Sequence, residues 1–75
     1  MSRNHEYTLT TKVGKWEVHI SPSTNYGFFE HIELGEGGGL WFKGGALVDY
    51  DGVFELPSGV EAAIQELGYR LEGGE

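Results

Sequence analysis

Cysteine is absent from all 75 positions. That excludes a disulfide framework, a thiolate-ligated zinc site and a cysteine nucleophile. Basic residues are scarce: five lysines and arginines stand against twelve aspartates and glutamates, for a formal charge of -7. A chain with that balance repels nucleic-acid phosphates, so no direct contact with DNA or RNA is expected. No apolar run approaches the roughly 18 residues of a membrane span, and the opening residues lack the apolar stretch of a secretory signal. The expectation is a cytoplasmic protein with no membrane partner. Internal repeats and long charge blocks are missing as well, so nothing divides the chain into modules.

What is present is glycine and aromatic side chains, thirteen of the first and 13% of the second. The aromatic content is too high for a disordered chain, which lacks the apolar surface to offset ordering entropy. A single small domain over residues 1–75 is expected, with residues 1–5 and 72–75 as frayed tails. Apolar residues mostly alternate, the period of strands. From Glu6 to Ile20, Tyr7, Leu9, Thr11 and Val13 share one face, and Gly14-Lys15 is a two-residue loop with glycine first, as a type II′ hairpin requires. That turn sets Val13 opposite Trp16, Thr11 opposite Val18 and Leu9 opposite Ile20, all on the same side.

After the loop at Ser21–Asn25, Tyr26 to Leu34 reads as a strand with Phe28, Ile32 and Leu34 on one face and Phe29, His31 and Glu33 on the other. Leu40 to Lys43 forms the next, and Gly44-Gly45 marks a kink, a bulge or a break. Ala46–Tyr50 and Val53–Leu56 flank Asp51-Gly52, a signal for a second hairpin. A helix follows. Ser58 and Glu61 have the spacing of a capping box, Val60, Ala63, Ile64 and Leu67 form one apolar stripe, and Gly68 suits a left-handed C-terminal cap. Tyr69-Arg70-Leu71 can return to the sheet as a short edge strand. The expected fold class is α+β: a four- to five-stranded, mostly antiparallel sheet of two β-hairpins, with one short C-terminal α-helix packed on one face.

One short helix covers one side of a sheet, yet the strands carry large apolar groups on both sides. Two readings follow. A strongly curled sheet, approaching a half-barrel, brings both sets inside. Alternatively the second face is a contact surface, where burying each large apolar side chain on a partner is worth about 1.5–3 kcal/mol. On this second reading Phe29, Trp41 and Tyr50 are the anchors, with Glu33 and Glu36 steering the approach.

Few residues suggest chemistry. Glu17 with His19, and His31 with Glu33, have the i, i+2 spacing that points both side chains to one side of a strand. On neighbouring strands His19 and His31 would be weak metal-ligand candidates; His5 lies in the expected tail. Asp49, Asp51 and Glu55 crowd the second hairpin, but Asp51 is explained by its turn and the other two by solvation, so no catalytic residue is assigned and no enzyme is expected. The glycine-rich stretch from Gly35 to Gly45 lacks the Gly-Lys-Ser/Thr ending and the following helix of a phosphate loop, so no cofactor is expected.

These observations point to a small acidic protein-binding module, with a structural homodimer and a small metal- or ligand-binding protein as the alternatives. In size, charge and lack of cysteine the chain is similar to phage-encoded inhibitors of host defence or transcription, anti-CRISPR proteins included. The expected partner is another protein or a second copy of the chain itself, and the acidic side chains spread along the sequence would suit a basic, nucleic-acid-binding host complex.

Overall fold

The computed structural model describes residues 8–71. The expected tails, His5, and Glu6 and Tyr7 of the first strand lie wholly or largely outside the described residues. Five strands run in chain order as an antiparallel meander: β1 (Leu9–Val13), β2 (Trp16–Ser21), β3 (Tyr26–His31), β4 (Gly37–Lys43) and β5 (Ala46–Tyr50). A helix, α1 (Ser58–Glu66), and a two-residue strand, β6 (Arg70–Leu71), complete the chain. β6 lies parallel to β5, with Ala46 beside Arg70 and Leu47 beside Leu71, because α1 carries the chain back to the start of β5. The architecture is therefore α+β, but with six strands in a mixed sheet.

The first hairpin has the register that its turn dictates: Val13 pairs with Trp16, Thr11 with Val18 and Leu9 with Ile20. The second tight hairpin falls elsewhere than expected. Gly44 and Gly45 both have positive φ, 62° and 81°, and join Lys43 to Ala46 in a two-residue loop. Only glycine-like residues occupy both such positions cheaply, and the resulting twist matches that of the flanking strands.

Asp51-Gly52 makes no hairpin, and Val53–Leu56 form no strand. Part of the β5 edge such a strand would use is held by β6, and Val53 and Leu56 pack against the core instead. Asp51 folds back onto β4. Its amide donates to the Gly39 carbonyl at 3.1 Å, and its Oδ1 accepts the Gly39 amide at 2.7 Å. Gly39 is buried, so Asp51→Ala strands a donor. That variant is expected to lose about 1–3 kcal/mol in urea unfolding, with Asp51→Asn retaining most of it.

A register shift between β4 and β5 alters which residues of β5 face inward. Trp41 pairs with Asp49 and Phe42 with Leu47, so Val48 is the extra residue of a bulge. Strict alternation would set Leu47 and Tyr50 on opposite sides. With the bulge both face inward, and Tyr50 packs on the core opposite Leu40.

The inner face of the sheet presents Val18, Ile20, Phe29, Leu40, Phe42 and Leu47 to Val60, Ala63 and Ile64 of the helix. The helix touches β1 and β2 near one edge and β6 at the other. A flat six-stranded sheet is about 24 Å across, yet Glu66 reaches Thr11 of β1 while Arg70, four residues on, lies in β6, so the sheet curls to bring its edges together. The Thr11 hydroxyl of β1 donates to Glu66 Oε1 at 2.5 Å, tying the last helical turn to the first strand.

The capping expectation is displaced by one residue. Pro57 is the N-cap, its carbonyl accepting the amides of Val60 and Glu61, and no side chain caps the helix. Ser58 is thus the first helical residue, one position too far along for its hydroxyl to reach the free amides. At the other end Gly68, with φ 96°, donates to the Gln65 carbonyl and Tyr69 to that of Ile64, the paired bonds of a Schellman stop. Among the described residues no helix is long and apolar enough to cross a membrane.

Candidate sheet-face interaction site

The side of the sheet turned away from α1 is assembled by cross-strand rows. One row runs Thr10, His19, Phe28 and Gly39; the next runs Ser21, Tyr26, Trp41 and Asp49. Side chains of one row stand within reach of the next, so His19, Phe28, Tyr26 and Trp41 form a single aromatic group. His19 stacks on Phe28 with ring centroids 4.7 Å apart and 15° between planes. Tyr26 and Trp41 meet edge to face at 5.3 Å.

These rings are neither buried nor fully wet. Tyr26 is 41% exposed, Phe28 45% and Trp41 38%. Gly39 explains why Trp41 lies flat: a methyl group there would sit 2.9 Å from Trp41 Cη2 and 3.1 Å from the Tyr26 hydroxyl. The indole occupies the space that the glycine leaves.

Beside the rings is a shallow open depression of about 430 Å³. Tyr26, Phe28 and Glu30 of β3 stand along it, and Gly37, Gly38 and Gly39 of β4 form its floor. Its origin is the register, which sets Phe28 opposite Gly39 and Glu30 opposite Gly37. Two outward positions of β4 therefore carry no side chain, and a trough remains where a filled strand would have a ridge. The strand cannot be refilled at will. A methyl at Gly38 would run into the carbonyl oxygen of Asp51, and one at Gly37 into that of Phe29, both backbone atoms.

Of the three expected anchors, only Trp41 lies on this face. Phe29 is 1% exposed and belongs to the core, where it pairs with Val18 and meets Trp16 at 5.8 Å. The parity of β3 is the reverse of the expected one: Gly27 and Phe29 face inward, Tyr26 and Phe28 outward. Pairing with β2 imposes this, since Gly27 opposes Ile20, where a side chain would strike the backbone of His19. Tyr50 is turned inward by the bulge. Glu33 and Glu36 lie at the β3–β4 turn, both exposed, with Glu33 bridged to Lys15.

The two histidines do not converge. β2 and β3 are neighbours, but His19 faces outward while His31 pairs with Trp16 and meets its ring edge to face at 4.8 Å. His31 Nδ1 also accepts the amides of Glu33 and Leu34, and His19 keeps its own Glu17 at 3.5 Å. Among the described residues no three His, Asp or Glu side chains are grouped so as to hold a metal ion. Asp49, Asp51 and Glu55 form no such group either, and Asp51 Oδ1 is taken by the Gly39 amide.

Tyr26 and Phe28 are the site residues that sequence reasoning missed. The signal for them was the reliable register of the first hairpin. Carried across the Ser21–Asn25 turn, it puts Gly27 beside Ile20 and hence Tyr26 and Phe28 on the open side. In comparisons with known proteins, no family model, no curated protein and no solved structure matches the chain. The reading of this face rests on its own residues.

Proposed function

We propose that the protein is a non-enzymatic binding module that docks another protein on the convex face of its sheet, through Tyr26, Phe28 and Trp41. The observation that carries this is the joint exposure of three adjacent aromatic side chains on the face α1 does not cover. Aromatic rings at that level of exposure recover hydrophobic free energy only when something covers them, and Tyr, Trp and Phe supply anchors at low entropic cost. Acidic side chains outside the rings, Glu17, Glu30 and Asp49, supply the polar rim that a specific interface needs. A formal charge of -7 favours a protein over nucleic acid as the occupant. A non-catalytic role is supported by the openness of the depression, which gives a substrate little enclosure.

The test pairs binding with stability. Phe28→Ser with Trp41→Ser is expected to leave the chain folded, at a cost of about 1–2 kcal/mol, because both rings are already partly in water. As bait in affinity capture, that variant should lose the proteins retained by the wild-type chain. Retention of the same proteins would refute the face as the binding surface. A wild-type dimer in sedimentation equilibrium, returned to monomer by the same substitutions, would make a second copy the partner.

A further inference from the structure

We propose that the depression over Gly37 and Gly39 receives a cationic side chain, an arginine on a basic segment of the partner protein; this rests on the protein-binding reading above. His19 covers the β2 side of the Phe28 ring, leaving the side over Gly39 open to the trough. Glu30 stands on the same wall, is exposed, and has no ion-pair partner among the described residues. Glu30 is the one acidic residue among the described residues that line the depression, whose floor is the backbone of Gly37, Gly38 and Gly39. Aromatic side chains and one unpaired carboxylate thus border a cleft whose floor is bare backbone.

Each class of occupant meets that cleft differently. An anion would oppose Glu30 at short range, and a purely apolar side chain would strip water from Glu30 without replacing it. A cation gains twice, from the negative face of the Phe28 ring and from the Glu30 carboxylate. Guanidinium suits the geometry better than ammonium. It is planar, weakly hydrated and able to stack on Phe28 while its edge donates two parallel hydrogen bonds to Glu30. The net charge acts in the same direction, drawing a basic surface towards the face before contact.

The experiment is an NMR titration of the isotopically labelled 75-residue chain at 0.15 M salt (about an 8 Å screening length). The probe is a short peptide of alternating glycine and arginine, with a counterpart in which neutral citrulline replaces each arginine. Saturable shifts of the Gly37 and Gly39 amides and the Trp41 indole are expected with arginine and none with citrulline. Glu30→Gln and Phe28→Leu should each weaken binding about fivefold or more. Glu66→Gln, the same charge change on the helix, should leave it unaltered. Equal shifts with citrulline, no shifts with arginine, or equal weakening by Glu66→Gln and Glu30→Gln would each overturn the cation site. Loss of protein capture in the Phe28→Ser, Trp41→Ser variant without arginine-induced shifts removes the cation site alone. Unchanged capture removes the face reading, whatever the peptide does.

Discussion

Phe29→Ala is expected to destabilise the chain by about 3–5 kcal/mol, read as a shift of the urea midpoint at constant slope. Among the described residues Phe29 is the largest fully buried side chain, and it sits in the middle strand of the meander between Val18 and the floor of the trough. Truncating it leaves a hole bordered by Trp16 and the helix-facing residues, which the curled sheet cannot close without moving β2 and β4 together. Total stability for a chain of this length is about 4–11 kcal/mol, so the variant forfeits much of it. Phe28→Ala, one residue away, should cost about 1 kcal/mol, since its ring is nearly half in water. The contrast between the two neighbours is the test. Comparable losses at both would mean that the parity of β3 is not as described.

The second large effect is expected at Gly38. A methyl group there meets the backbone of Asp51 and Gly52 where that segment crosses β4, and neither chain can retreat without breaking the Asp51–Gly39 bonds. Gly38→Ala should therefore cost about 3 kcal/mol. Its amide spectra should show Gly39 and Asp51 released together. Gly39→Ala is the matched control, because its methyl would meet only side-chain atoms of Trp41 and Tyr26. The indole can tilt away, so the loss should be about 1 kcal/mol and the change confined to the aromatic face.

The parts of this structure readable in advance are those governed by local chemistry. Gly14-Lys15 constrains its own hairpin, and Val60, Ala63 and Ile64 mark the buried stripe of α1 with no knowledge of the sheet. Gly68 likewise announces the helix stop. The errors lie where a local signal competes with a distant one. Asp51-Gly52 carries the preferred composition of a tight turn, yet its Oδ1 is taken by an amide twelve residues upstream, and part of the adjacent strand edge by a segment near the chain end. A bulge of one residue at Val48 reverses the facing of Tyr50, and no glycine at or beside Val48 marks it. The same weakness moved the site by one residue, from Phe29 to Phe28. Strand parity is a single binary choice, and alternation between two adjacent phenylalanines does not decide it; the neighbouring strand does.

The helix that spans both edges of the sheet has a consequence for biosynthesis. Strands one to five are each next to their chain neighbour, so they can zip progressively as they appear. Their greasy inner lining has no lid until Val60, Ala63 and Ile64 have been made, and β1 meets Glu66 across 55 positions of chain. A nascent chain whose strands have emerged before the helix therefore carries an uncovered hydrophobic inner face, which chaperones would engage. Ribosome-stalled chains carrying a C-terminal spacer that fills the exit tunnel should be protease-sensitive when they stop at residue 56, and protected once they extend through the last turn of the helix.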